Sequence, residues 1–151
     1  MMPHAFLVFH LTLLLSAPAM AQPYGPIFVN EITGVYDGDT FYVNIVEWPP
    51  IIGNNMPVRI QGINTPELRS RCDTDAAKEA ERERARKAKA FVEEQLREAD
   101  TIVLHNIERG SFFRLIADVK LDGRDLGDLL IAAGHAQPYE PGAGGQAWCQ
   151  P

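Results

Sequence analysis

The sequence predicts an α+β, mainly β fold: a five-stranded OB-type barrel with a long helix between strands 3 and 4 and a short C-terminal helix. Three observations predict it: five strand-like segments, one long segment with helical periodicity, and a short helical segment that ends at a glycine. The 151 residues are 46% hydrophobic and 23% charged. This composition suits one globular domain and excludes a disordered chain.

The five strand-like segments are rich in β-branched and aromatic residues, and turn-forming residues bound them. They cover residues 26–36, 40–46, 56–63, 101–107 and 112–121. Asp37, Gly38 and Asp39 supply a tight turn between the first two strands. Residues 48–55 contain two prolines, a glycine and two asparagines, which predicts a loop or an extended arm.

The long helix is predicted over residues 74–99, where alanines and larger apolar residues recur at helical spacing. Thr74 or Asp75 can cap its start. Charged residues of opposite sign alternate through residues 78–89, which favours a solvated helix face over a basic patch. Two pairs of opposite charge are spaced i,i+4, namely Glu83–Lys87 and Glu93–Arg97.

The short helix is predicted over residues 125–133 and closes at Gly134. The residues that follow, 137–151, are rich in glycine and proline and lack a periodic pattern.

The first 21 residues are predicted to be a signal peptide, and residues 22–151 the single mature domain. An apolar stretch over residues 5–15 is followed by the small-residue triplet that ends at Ala21. An uncleaved anchor is the alternative, but the stretch is short for a span of about 20 residues. We therefore expect an exported protein, periplasmic or secreted, with no stable membrane association after cleavage.

The two cysteines are expected to form a disulfide, because disulfides persist in the compartments that exported proteins reach. The bridge would join Cys72 to Cys149. A metal pair with His105 or His135 is the alternative, which no CxxC or HxxxH spacing supports.

The net charge of -6 and the pI near 5.1 restrict how a nucleic acid could bind. Phosphates favour basic surfaces. A phosphate-binding surface on this chain must therefore be local, or must recruit a divalent cation that reverses the sign of the field.

Polar side chains interrupt the apolar strands at three places. They are Asp37 and Asp39 in the first turn, Arg59 with Asn64, Thr65 and Glu67 in and after the third strand, and Arg114 in the fifth. Each alone is explained by a turn, a strand terminus or a solvent-facing arginine. Together they supply hard oxygen ligands, a carboxylate base and two guanidiniums, which is a set suited to phosphodiester hydrolysis.

Three sequence stretches carry a resemblance to a known family. VYDGDTFYV, VRIQGINTPE and the region from FFRLIADV to GHAQPY resemble the staphylococcal-nuclease (thermonuclease) family in order and spacing, over residues 27–139. The resemblance implies a monomeric OB-fold nuclease that depends on Ca²⁺ and cleaves DNA and RNA with little sequence preference.

The resemblance also implies roles for individual residues. Arg59, Glu67 and Arg114 would be catalytic, with Glu67 as the base or the residue that orients water. One Ca²⁺ ion would be bound by Asp39, by Asn64 and by the backbone carbonyl of Thr65.

One metal position departs from the family pattern. Many members have an aspartate where this chain has Asn64, and the loss of one negative charge predicts weaker Ca²⁺ binding. Compensation by Asp37 through a bridging water is left open.

Four further residues are candidate substrate contacts. They are Arg69, Arg71, Phe112 and Tyr139. The family places a tyrosine where Phe112 or Phe113 stands, and phenylalanine can stack on a base without bonding a phosphate. Arg69 and Arg71 can equally be ordinary solvated arginines.

Two other functions compete with the nuclease. One is a catalytically weak or inactive OB-fold module that binds nucleic acid, and the other is a structural or inhibitor-like exported protein. The joint presence of Arg59, Glu67 and Arg114 favours the enzyme, because a binding module has no need of an isolated carboxylate between two arginines.

Overall fold

The computed structural model describes residues 24–139 and 148–149, so the predicted signal peptide and its cleavage site lie outside the described residues. Its elements in chain order are β1 (Ile27–Phe28), β2 (Glu31–Val35), β3 (Thr40–Asn44), α1 (Pro50–Gly53), β4 (Met56–Ile60), β5 (Ile63–Asn64), α2 (Asp75–Glu98), β6 (Ile102–Arg109), β7 (Leu115–Leu121), β8 (Arg124–Asp125), α3 (Leu126–Ala132) and β9 (Gln137–Pro138).

The main sheet is a curled half-barrel with the strand order β1-β6-β7-β4-β3-β2, and β8 pairs with β7 outside this path. The β4–β7 pair is parallel, whereas the other pairs of this sheet are antiparallel. Strands β5 and β9 form a separate two-stranded sheet. This arrangement confirms the α+β, mainly β class.

The number of strands differs from the predicted five. The first predicted strand is divided into β1 and β2, and residues 61–62 form a turn that separates β4 from β5. Three short strands, β5, β8 and β9, were not predicted as separate elements. Two-residue pairings of this kind carry too few residues to show a period of two in the sequence.

The long helix α2 follows β5 and precedes β6, close to its predicted bounds. Thr74 caps it, since its hydroxyl accepts a hydrogen bond from the backbone N–H of Ala77 at 3.2 Å. The Glu83–Lys87 pair is present at 3.9 Å, whereas Glu93 pairs with Lys89 at 3.8 Å rather than with Arg97. Within the described residues no helix is long and apolar enough to cross a membrane.

The hydrophobic core lies between the inner face of the curled sheet and the apolar faces of α2 and α3. Strand β7 shows why the sequence folds in this way, because buried and half-buried residues alternate along its whole length. The larger fully buried side chains include Phe41, Ile45, Met56, Ile60, Leu104, Leu121, Leu126 and Leu130. The helix contributes Ala85, Ala88 and Val92 to the buried surface.

Two segments differ from their predicted conformations. Residues 112–114 do not continue β7, because Phe112 and Phe113 adopt positive φ angles of 58° and 56° in the turn before it. The N–H of Gly110 closes this turn on the carbonyl of Arg114 at 2.7 Å. Residues 48–55, predicted as a loop, contain the single-turn helix α1, which begins at Pro50.

Candidate functional site

The pairing of β3 with β4 brings the first two groups of polar residues together. Thr40 lies opposite Arg59 in this pairing, which places Arg59 beside Asp39. The guanidinium Nη1 of Arg59 lies 2.7 Å from Oδ1 of Asp39. The hydroxyl of Thr40 donates to the same oxygen at 2.9 Å. These two donors fix the orientation of a carboxylate that is only 2% exposed.

The Asp37-Gly38-Asp39 turn packs directly on the segment that follows β5. A Cβ atom at Gly38 would lie 3.0 Å from the Cβ of Thr65 and 2.8 Å from the Cβ of Ala88 in α2. Only glycine leaves room for this contact. Thr65 is therefore held against the turn that carries the two aspartates.

Asp37 is a buried carboxyl group with negative neighbours. Its Oδ1 accepts a hydrogen bond from the backbone N–H of Asp39 at 3.1 Å. Burial, together with the negative charges of Asp39 and Glu67, raises the pKa of Asp37 from 3.8 to about 7, against the lowering effect of that hydrogen bond. The carboxyl groups at this turn therefore repel one another, and this repulsion favours the protonated form of Asp37.

Glu67 lies half-buried near the same group. Burial raises the pKa of Glu67, and the carboxylates of Asp39 and Glu81 raise it as well, whereas the guanidiniums of Arg59 and Arg71 lower it. A carboxylate with a raised pKa is a stronger base and is better suited to accept a proton from water. Glu67 therefore stands in an environment of mixed charge that fits a general base.

The loop after β4 is tied to the same region. The Nη2 of Arg59 donates to the carbonyl of Ile63 at 3.4 Å, and Asn64 pairs with Gln137 in the β5–β9 sheet. The N–H of Tyr139 donates to the carbonyl of Gly62 at 2.8 Å, and its side chain is 54% exposed. Tyr139 is thereby anchored beside the turn that leads to Asn64.

Comparison of the sequence with protein-family models and with curated proteins finds no match. What the site can do must therefore be argued from its own geometry.

Arg114 stands immediately before β7, the strand that pairs in parallel with β4 from Val58 onwards. It is half-buried, and its Nε is a buried donor that has no hydrogen-bond acceptor among the described residues. No ion pair joins Arg114 to a carboxylate in the described part of the chain. A buried donor without an acceptor is costly, and an anionic ligand would supply the missing acceptor.

The remaining candidate contacts lie on the surface. Phe112 is 93% exposed and Phe113 is 55% exposed, with the guanidinium of Arg109 4.6 Å from the centre of the Phe113 ring. Arg69 and Arg71 are exposed in the loop after Glu67. Of these residues, Arg71 is close enough for its guanidinium to lower the pKa of Glu67.

The cysteines form the predicted disulfide, Cys72–Cys149. Within residues 24–139 and 148–149, the one group of three potential metal ligands within 4.8 Å of one another is Cys72, Glu81 and Cys149. Sulfurs that are bonded to each other are not thiolate ligands. The ligand atoms of Asp37, Asp39 and Glu67 do not all lie within 4.8 Å of one another.

The chemistry of the donors nevertheless suits a hard cation at the aspartate turn. Asp39 offers its second carboxylate oxygen, and Asp37 is a buried carboxyl group with negative neighbours. Asn64 and Thr65 carry carbonyl oxygens in the segment whose Thr65 packs on Gly38. A bound cation would offset the burial and the repulsion from Asp39 that together raise the pKa of Asp37.

Sequence reasoning missed Glu81. This residue is fully buried although it lies in the charged run of α2, and its Oε1 accepts a hydrogen bond from the backbone N–H of Glu67 at 3.1 Å. Its only signal in the sequence is its place on the same helix face as Ala85, Ala88 and Val92.

Proposed function

We propose that the protein is an exported nuclease that uses Ca²⁺ to hydrolyse phosphodiester bonds of DNA or RNA with little sequence preference. The observation that carries the proposal is the placement of Asp39, Arg59 and Glu67. The first two are in direct contact, and both influence the pKa of the third. Such a group combines a cation ligand, a phosphate-binding guanidinium and a base.

The roles of the residues follow from their chemistry. Asp39, Asn64 and the carbonyl of Thr65 would hold the ion, which supplies charge neutralisation of the phosphate when bound. Glu67 accepts the proton of the attacking water. Arg59 and Arg114 stabilise the extra negative charge on the phosphate oxygens in the transition state.

We also propose an OB-type barrel of the staphylococcal-nuclease kind. Residues 27–35 support it, because they pair with β6 at their start and with β3 at their end, and so connect the two edges of the curled sheet. The N–H of Val29 donates to Ile102, and that of Asn30 to Asn44. The disulfide supports export, since it is typical of oxidising compartments.

The test incubates plasmid and single-stranded DNA with the purified protein, in Ca²⁺ and in chelator, beside Glu67→Gln. We expect cleavage only with Ca²⁺, and a loss of about 10²- to 10⁴-fold in the variant. Glu108→Gln, which changes an exposed glutamate of β6, serves as the matched control and should retain full activity. A wild type that cleaves neither DNA nor RNA in Ca²⁺ would refute the proposal.

A module that binds single-stranded nucleic acid is the second candidate function. The exposed Phe112 ring and the Phe113–Arg109 pair favour it, because aromatic rings and arginine planes stack on unpaired bases. If the wild type and Glu67→Gln bind single-stranded DNA equally and neither cleaves it, the binding module is the function.

A further inference from the structure

Glu81 is a buried acid that the proposed chemistry does not use. It is 0% exposed, in contrast to Glu79 and Glu83 of the same helix, which are exposed and paired with Arg86. No lysine or arginine lies within ion-pair distance of Glu81 in the described part of the chain. Burial of a carboxylate without a counter-ion is costly, so the contacts that it makes need an explanation.

The two carboxylate oxygens of Glu81 connect the candidate base to the disulfide. Oε1 accepts from the backbone N–H of Glu67 at 3.1 Å. Oε2 lies 3.2 Å from Sγ of Cys72, which is bonded to Cys149 and so carries no hydrogen to donate. One side chain thus contacts the residue that would accept the proton and the cross-link that holds the loop after it.

Trp148, the residue before Cys149, is fastened to the next turn of α2. The Nη2 of Arg84 donates to the carbonyl of Trp148 at 2.5 Å, and Arg84 is one helical turn beyond Glu81. Residues 67–72 are therefore held at both ends, by the Glu67–Glu81 hydrogen bond and by the disulfide. Because Glu81 contacts both fastenings, a change at the disulfide can reach Glu67 through this one side chain.

We propose that Glu81 is a positioning residue for Glu67, and that the redox state of Cys72 and Cys149 regulates the site through it. This inference rests on the proposed nuclease function. A dithiol reductant gives two electrons and two protons to the disulfide: the S–S bond breaks, two S–H groups form, and the reductant becomes a disulfide itself.

Reduction changes the contacts of Glu81 in two ways. The thiol of Cys72 becomes a hydrogen-bond donor directed at a carboxylate that previously faced a sulfur without hydrogen. The loop and the tail also lose their covalent connection. The thiol hydrogen bond turns the Glu81 carboxylate towards Cys72, and the broken cross-link lets Cys72 move away with it, so Glu81 leaves the N–H of Glu67. The base then loses its fixed position and the rate of the chemical step falls.

Three variants separate positioning from general stability. Glu81→Gln keeps a carbonyl oxygen for the N–H of Glu67, Glu81→Leu keeps the volume and removes the acceptor, and Glu83→Leu is the exposed control. We expect kcat to fall about tenfold in Glu81→Leu, with KM for DNA and the Ca²⁺ midpoint unchanged. Glu81→Gln should stay within about twofold of wild type, and Glu83→Leu should match it.

The redox experiment measures kcat and amide hydrogen exchange at Glu67 with and without dithiothreitol. We expect reduction to lower kcat about tenfold in the wild type and to accelerate exchange of this amide by a similar factor. In Glu81→Leu, reduction should produce no further fall in kcat, because the connection is already absent. A disulfide that acted only by stabilising the fold would instead give additive losses.

Several results would overturn the inference. They are equal kcat and equal exchange at Glu67 in the oxidised and reduced wild type, a loss in Glu81→Gln as large as that in Glu81→Leu, and additive losses from reduction and Glu81→Leu. If the wild type cleaves no nucleic acid in Ca²⁺, it is the nuclease proposal that fails. The exchange rate of the Glu67 amide then still tests the connection by itself.

Discussion

The substitution Gly38→Ala tests whether the packing of the aspartate turn determines the site. The added Cβ would lie 2.8 Å from the Cβ of Ala88 and 3.0 Å from that of Thr65. Two carbon atoms pack best at about 3.5–4.0 Å, so the turn or the helix must move by about 0.7 Å. Rotation of a side chain cannot relieve these contacts, because the nearest atom of each neighbour is its Cβ, and Ala88 and Thr65 are both buried.

The expected magnitude follows from this displacement. Overpacking of this kind costs about 1–3 kcal/mol of unfolding free energy. The same movement shifts Asp39 relative to Arg59 and so disturbs the contact between Oδ1 of Asp39 and Nη1 of Arg59, which are 2.7 Å apart. Because a misplacement of about 1 Å in a site lowers activity by about a hundredfold, we expect a loss of roughly tenfold or more.

The matched control is Gly34→Ala in β2. A Cβ there would meet only Cδ2 of Tyr42, at an ordinary 3.8 Å. This variant should be neutral, or stabilised by up to about 1 kcal/mol. Urea unfolding and the plasmid assay measure both variants. Equal stability and equal activity in the two would refute the packing argument.

Three further predictions concern charge and stacking. In chelator, the free energy of unfolding should fall as the pH rises, because burial and the charge of Asp39 raise the pKa of Asp37 in the folded protein from 3.8 to about 7. The stability that protonated Asp37 contributes, up to about 4 kcal/mol, is fully present below pH 3.8 and is lost as the pH rises through about 7. Urea unfolding at about pH 5 and about pH 8 measures this fall, which Asp37→Asn should largely remove; an unchanged fall would contradict the assignment to Asp37. Asn64→Asp introduces a negative charge and should lower the Ca²⁺ concentration for half-maximal activity on the order of tenfold, whereas no shift would place Asn64 outside the proposed metal site. Phe112→Ala should weaken binding of single-stranded DNA by about 1–3 kcal/mol in a fluorescence anisotropy titration, with unchanged melting temperature; unaltered affinity would exclude stacking on this ring.

The helix α2 shows which features of the fold can be predicted from neighbouring residues in the sequence and which cannot. Its alanine and valine spacing and the hydroxyl of Thr74 are local features, and they predict its bounds to within one residue. The burial of Glu81 is not local, because the disulfide and the loop that carries Glu67 create it. A glutamate in a charged run therefore looks solvated until these distant segments are placed.

In the turn before β7, by contrast, a strong local propensity predicted the wrong structure. Phe112 and Phe113 have high β-propensity, and the sequence therefore extends the strand through them. The hydrogen bond from the N–H of Gly110 to the carbonyl of Arg114 instead closes a turn in which both phenylalanines have positive φ angles. Propensity alone does not reveal this turn, and neither does it reveal that both rings are exposed.

The placement of Arg59 limits what Asp39 can offer a cation. The polar constellation was recognisable in the sequence, but the register Thr40↔Arg59 was not. That register commits one oxygen of Asp39 to the guanidinium and to Thr40, and leaves the other for a metal. If the proposed Ca²⁺ site exists, Asn64 contributes no negative charge to it, and Asp37 is the neighbouring carboxyl group that would supply that charge. In the proposed metal site, Asp37 would therefore matter as much as the neutral side chain at position 64, although the sequence alone suggested for Asp37 only a contact through a bridging water.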